Sequence, residues 1–368
     1  MFEAPWRSRA RLDDAGWWTD VMAKAGLPAG SAVTGAHHDL VGGTPGATSV
    51  IERVRLDYDG PPGKAPDRVI VKRSKEEIGF DLSSGSGIAM PPIWAVEANF
   101  YARIAPHVDM LTPACWYGEA TDDGTSGILV MADYSDWTAS DQHHGLDRAE
   151  IEAAVGAVAA LHAWSWDVRD RPELSWVPED AYVMAAHMPD IWSLVKDPVT
   201  ERHPDFSLLA GEIYGYYPDL LAAARTRTRC VVDGDFRADN LRMAGTDDEG
   251  YALAVFDFQM CFLGVGAHDV ARIMADSPSF EAGLDDHRAV CRLWRDHLEA
   301  RDVAAYSEGD AWFDYQLGLA LALQVATIVD LVQWGDHRNA ETATRIVERM
   351  YRAACECDSL AFVRGLRS

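Results

Sequence analysis

Through roughly the first third of the chain, apolar residues come in short runs separated by turn-forming residues. Residues 50–56 (VIERVRL) alternate apolar and polar positions, the period-two pattern of a half-buried strand. Residues 68–73 (RVIVKR) form a short β-branched run, and 127–132 (GILVMA) form a third, entered through the turn-like TDDGTS. Between them, residues 93–104 have helical spacing behind Pro91 and Pro92, and proline is well placed at or just before a first helical turn.

After Tyr134 the helical period dominates. Residues 147–166 (DRAEIEAAVGAVAALHAWSW) predict a long helix, with Asp147 as its cap and Glu150 completing a capping box. Further helices are expected near 180–196 and 205–224, and in about four segments from 266 onward. The most apolar long stretch, 317–334, is interrupted by Gln324 and Asp330, which suits a buried helix better than a membrane span. A β-like island lies in the middle: 230–232, a polar loop, 241–243, a turn (GTDDEG) and 251–256 (YALAVF). The pattern predicts an α+β fold of two lobes. Residues 1–133 would form a small N-terminal antiparallel sheet with one main helix, and residues 134–368 a larger, mostly helical lobe with a hairpin set into it.

Composition narrows the function classes. The chain has 368 residues, 48% of them hydrophobic, which excludes disorder for its bulk. Its net charge of −25, without any basic run, disfavours nucleic acid as a partner. Six scattered cysteines show no framework spacing, and Cys355-Glu-Cys357 is a lone C-x-C. Reduced thiols in a cytoplasmic protein are expected, and the N-terminus carries no apolar signal region.

The island carries the candidate chemistry. It reads VVDGDFRADNLRM and then AVFDFQ, so Asp235, Asn240 and Asp257 stand on two adjacent loops. Carboxylate and amide oxygens are the ligands that Mg²⁺ prefers, commonly alongside substrate phosphates. A carboxylate left off the metal can orient and deprotonate an attacking hydroxyl, which together makes a parts list for phosphoryl transfer.

GDFRADN followed by VFDFQ resembles the catalytic and metal loops of the protein-kinase-like small-molecule kinases: the aminoglycoside phosphotransferase, choline-kinase-like and ecdysteroid-kinase-like groups. The resemblance implies a two-lobed protein-kinase-like fold and further parts in order. Gly43, Thr44 and Gly46 would form a Gly-rich turn between the first two strands, and Lys72 would reach the ATP phosphates. Glu97 would pair with Lys72, and the backbone of Met131, Ala132, Asp133 and Tyr134 would bind adenine. By the same resemblance Asp235 is the base, Asn240 and Asp257 hold Mg²⁺, and the acceptor is a hydroxylated small molecule. DFQ in place of DFG, with no APE-like segment, sets the chain apart from peptide kinases.

One departure stands out. Related kinases usually carry histidine two residues before the catalytic aspartate, and this chain has Asp233 there. A second carboxylate beside Asp235 raises one pKa of the pair unless a cation intervenes, and Arg237 and Arg242 are the candidates. A catalytically impaired, nucleotide-binding pseudokinase therefore stands as the alternative. Asp269, in a segment resembling the family's G…D-L-A, is expected to cap a helix and brace the catalytic loop, and Gln259 to face the site. Ser84–Gly87 lacks the strand-turn-helix context of a nucleophile elbow. His37-His38 and His143-His144 read as exposed loop histidines, and His162, Trp164 and Trp166 as packing residues.

Overall fold

Alternating residues build the first sheet from its centre outward. In a computed structural model, which describes residues 11–41, 49–75, 92–179, 183–246, 250–277, 283–332 and 337–367, the chain divides into two compact units. One comprises Met1–His107 and Thr112–Asp136, the other Val108–Leu111 and Trp137–Ser368. The expected Gly-rich turn (Gly43, Thr44, Gly46), the 84–87 run, Trp6 and Trp334 lie outside the described residues.

In the first unit five strands form an antiparallel sheet. They are β1 (Val33–Leu40), β2 (Ser49–Tyr58), β3 (Arg68–Ser74), β4 (Cys115–Ala120) and β5 (Gly127–Ala132), in the order β1-β2-β3-β5-β4. Because side chains alternate across a strand, Val69 and Val71 of β3, Val54 and Leu56 of β2, and Ile128 and Val130 of β5 share one face. That face is covered by helix α1 (Ala15–Lys24) through Trp18, Val21 and Met22. Trp18 is fully buried and its indole N–H donates to the Leu12 carbonyl at 2.7 Å. Helix α2 (Ile93–Arg103) follows Pro92 as its N-cap, as the prolines predicted.

Residues 37 and 38 differ from expectation: both histidines lie on β1, not in a loop. Antiparallel pairing supplies them with carboxylate partners from β2. His37 Nε2 lies 2.6 Å from Asp57, and His38 Nδ1 lies 2.9 Å from Glu52, which leaves His38 largely buried.

Helices dominate the second unit. The capping box at Asp147 and Glu150 opens α3 (Arg148–Trp164) as predicted. Then come α4 (Val183–Arg202), α5 (Pro204–Tyr214) and α6 (Tyr217–Thr226). The expected helix over 205–224 is divided because the chain turns at Gly215 and Tyr216 and restarts with a proline in the first turn. After the island, five helices follow among the described residues where about four were expected: α7 (Ala267–Ala275), α8 (Leu284–Glu299), α9 (Glu308–Val332), α10 (His337–Glu356) and α11 (Ser359–Gly365). Helix α9 is long and apolar enough to cross a membrane, yet two thirds of its most apolar window is buried inside the protein. It passes so close to α7 that a Cβ on Gly318 would stand 2.7 Å from the His268 Cα.

The island is two small sheets. Strand β6 (Thr138–Ala139) pairs with β8 (Leu241–Thr246), which forms the expected hairpin with β9 (Gly250–Val255). Strand β7 (Cys230–Val232) pairs instead with β10 (Phe262–Gly264). The loop from 233 to 240 therefore joins two different sheets.

Candidate functional site

Lys72 occupies β3, the central strand of the first unit, hydrogen-bonded to β2 on one side and β5 on the other. Its Nζ donates to Glu97 Oε1 of α2 at 2.9 Å, and both side chains are buried. At the end of β5 the Asp133 carboxylate accepts from Arg53 Nε (3.0 Å), Arg68 Nε (2.7 Å) and the Ser135 N–H (2.8 Å). Burial raises its pKa, but these hydrogen bonds and the two guanidinium charges outweigh burial and hold it below the ordinary range. That side chain is thus fastened into the sheet; Met131 and Ala132 end β5, with the Ala132 N–H on the Ala114 carbonyl, and Asp133 and Tyr134 follow beyond the strand. On β2, Glu52 accepts from His38 and from Arg73 (2.7 Å), and is held at a pKa of about 2, the His38 bond first, against the cost of burial.

In the second unit, β7 hands the chain to Asp233 and then to Gly234, whose φ is +83°. A Cβ there would lie 2.3 Å from the Met260 carbonyl oxygen, so only glycine fits. Asp269, fully buried on α7, accepts the N–H of Asp233 (2.8 Å) and of Gly234 (3.0 Å). Its Oδ2 also lies 3.1 Å from His162 Nε2. The Nδ1 of that ring accepts the Trp294 indole N–H at 3.1 Å, which leaves Nε2 to carry the proton and donate to Asp269. Burial raises the Asp269 pKa, but His162 and His268 hold it far below the ordinary range.

The expectation that Asp269 caps a helix is corrected. The N-cap of α7 is Gly266 with no side-chain cap, and the Asp269 carboxylate is committed to the loop and to His162. His162 is buried, as expected of a packing residue, but it also ties α3 to this anchor. Of the tryptophans expected to pack, Trp166 lies against Trp294 and Tyr306, and the half-buried Trp164 has the Arg171 guanidinium over its ring; Trp192 also lies against Tyr214, and Trp312 is stacked on Tyr315.

Within the loop, the Asp235 N–H donates to Asp233 Oδ1 at 3.0 Å, and Asp235 Oδ2 accepts from Arg237 Nε at 2.9 Å. Arg237 is the cation on Asp235. Arg242 lies over the Phe256 ring and spends its guanidinium on the carbonyls of Leu241 and Asp239. Asp233 is sealed from water, and its Oδ2 has no hydrogen-bond partner among the described residues. Burial first, then the charges of Asp269 and Asp235, pushes its pKa well above the ordinary range. Both causes favour the neutral acid at Asp233 and work against a second carboxylate charge beside Asp235.

Asn240 and Asp257 are brought to one end of the hairpin. The last rung pairs Leu241 with Val255, and the next N–H, of Phe256, donates to the Asn240 carbonyl at 2.9 Å. Asn240 donates its Nδ2 to the Asp235 carbonyl at 2.9 Å, which leaves Oδ1 as its acceptor end. Asp257 adopts a left-handed conformation (φ 66°, ψ 65°), a backbone state that side-chain-bearing residues hold only where the surroundings fix it. Gln259 is buried just beyond it. Among the described residues no three His, Cys, Asp or Glu side chains form a metal cluster. One amide oxygen and one carboxylate are nevertheless a donor set that suits Mg²⁺, which takes few protein ligands and completes its shell with phosphate and water.

The supporting residues Gln142, Asp276, Arg349 and Trp294 were not anticipated from the sequence. Their partners lie far along the chain, and no local motif marks them.

No curated protein matches the chain. Among solved structures, it is similar to choline kinase from Cryptosporidium parvum Iowa II (10% identity, TM-score 0.54, covering 90% of this chain and 91% of that one). It is similar also to an ethanolamine kinase of Plasmodium vivax (10% identity, TM-score 0.51, covering 85% and 81%). A third is a Ralstonia eutropha JMP134 protein assigned as an aminoglycoside phosphotransferase (14% identity, TM-score 0.51, covering 90% and 93%). These likenesses establish the two-lobed kinase-like fold. A family model, described as the phosphotransferase enzyme family, matches residues 64–317, a span that takes in Lys72, Glu97, the 233–240 loop, Asp257 and Asp269; the chain belongs to that family.

Proposed function

We propose that the protein is an ATP- and Mg²⁺-dependent O-phosphotransferase acting on the hydroxyl of a small molecule. Lys72, oriented by Glu97, binds phosphate oxygens, and the backbone of Met131, Ala132, Asp133 and Tyr134 binds adenine. The first unit is in this reading the nucleotide-binding lobe, and the second the catalytic and acceptor-binding lobe. Asn240 and Asp257 hold Mg²⁺, which when bound offsets the charge of the triphosphate in a protein of net charge −25. Asp235 accepts the proton of the acceptor hydroxyl as the phosphoryl group moves, and Asp269 holds the loop so that this carboxylate stays in place.

The observation that carries the reading is the loop itself, within the span matched by the family. There Asp235 and Asn240 are bonded together, and both loop N–H groups before Asp235 are fixed on one buried carboxylate. The relatives named choline and ethanolamine kinase favour small hydroxylated acceptors such as amino alcohols. The upward push on the Asp233 pKa favours an active site over an impaired one, because it works against a second ionised neighbour beside Asp235 in the same turn.

The test is ATP turnover with Mg²⁺ over a panel of amino alcohols and other small alcohols. Asp235→Asn is expected to lower kcat by about 10³-fold while nucleotide binding persists. Turnover that survives this substitution removes Asp235 from the role.

A further inference from the structure

Arg237 is held at three points. Its Nε donates to Asp235 Oδ2 at 2.9 Å, and its Nη1 donates to Asp239 Oδ2 at 2.9 Å and to Gln142 Oε1 at 2.7 Å. Asp239 is exposed, whereas Gln142 is buried. The other end of the Gln142 amide donates from Nε2 to the buried carboxylate of Asp276, which pairs with Arg272 Nη1 at 3.1 Å. The Gln142 main chain is fixed as well: its N–H donates to Asp239 Oδ1 at 2.7 Å, and its carbonyl accepts from Arg349 Nη1 at 2.7 Å. A guanidinium can only donate and a carboxylate paired with arginine accepts, so a single orientation of the amide serves both neighbours.

We propose that Gln142 is a positioning residue for the reaction: by anchoring Arg237 it fixes the Asp235 carboxylate with Oδ2 engaged and Oδ1 presented to the acceptor hydroxyl. The inference rests on Asp235 as the base. Arginine is a long side chain with large rotamer entropy, and one exposed aspartate holds it weakly. The buried amide, tied to Asp276 on its far side, turns that loose contact into a rigid strut. A misplacement of the base by about 1 Å is enough to cost rate without loss of substrate binding.

A double-mutant cycle on kcat tests this. Gln142→Ala keeps the main-chain bonds and removes only the strut. It is expected to lower kcat about tenfold, with the KM for ATP unchanged. Because Gln142 acts through Arg237, the pair Q142A/R237A is expected to be no worse than R237A alone. A residue that merely stabilises the fold would instead give losses that multiply, together with a lowered Tm. As a conservative variant, Q142E/D276N reverses the donor and acceptor while keeping the net charge, an acceptor for Arg237 and an amide oxygen for Arg272, and its Tm is read beside kcat. It is expected to hold kcat within about threefold of the wild type. Multiplying losses, or a Q142A variant with wild-type kcat, overturn the inference. If D235N abolishes turnover while the losses multiply, only the role of Gln142 falls; if D235N remains active, the assignment of the base falls first.

Discussion

Glu52 and Asp233 are both carboxyls sealed from water, and the two units treat them in opposite ways. Glu52 has His38 and Arg73 on its oxygens and stays ionised, with a pKa near 2. Asp233 has one backbone N–H on one oxygen, and burial with the charges of Asp269 and Asp235 pushes its pKa well above the ordinary range. The residue type is almost the same, and the partners within reach decide the charge. The first unit neutralises its buried charges by pairing, as it does again with Lys72 and Glu97. The second gathers acids around one loop and manages them by burial that favours the neutral acid at Asp233, by a guanidinium at Asp235 and by backbone and His162 donors at Asp269.

The contrast breaks most visibly at Lys72. Lys72→Met leaves Glu97 buried without its cation and is expected to cost about 3–5 kcal/mol in urea unfolding, with much of that recovered in K72M/E97Q. A K72M variant as stable as the wild type refutes neutralisation by pairing. Next comes the pH response of Glu52. Its folded pKa lies below the ordinary 4.5, so its contribution is complete above that pH and is lost as pH falls toward 2. The loss amounts to about 3 kcal/mol and should vanish in Glu52→Gln, which thermal unfolding between pH 5 and pH 2 would register. On the second unit's side, Gly234→Ala forces a methyl group onto the Met260 carbonyl at a positive φ, and about 2 kcal/mol of destabilisation is expected from denaturant midpoints.

The smallest effect has the opposite sign. Asp233 has a folded pKa above its ordinary 3.8, so the unfolded chain ionises first as pH rises and the wild type loses stability. Asp233→Asn removes that slope and should be more stable by about 1 kcal/mol at neutral pH, with the gain absent at low pH. Parallel pH–stability curves for the two proteins would mean that Asp233 is ionised in the fold.

Period-two alternation was enough to find β2, and short β-branched or apolar runs were enough to find β3 and β5. The apolar pattern missed β1, where His37 and His38 replace the apolar face because their neutralising partners lie on the next strand. It missed α1 as well, whose adjacent tryptophans mask the helical period. The loop chemistry was legible where the residues that meet are close in sequence, as Asp235 and Asn240 are. The anchors were not. His162 reaches Asp269 across 107 positions and Trp294 reaches His162 across 132, and such contacts are decided by how helices pack rather than by any local pattern.

The near-contact of Gly318 with the His268 backbone ties these observations to something a geneticist would notice. Helix α7 carries, one residue on, the carboxylate that grips the loop, so a methyl group on α9 would shove the gripping helix sideways. An alanine at that remote spot would then act like a lesion in the loop, though it touches none of the reacting groups.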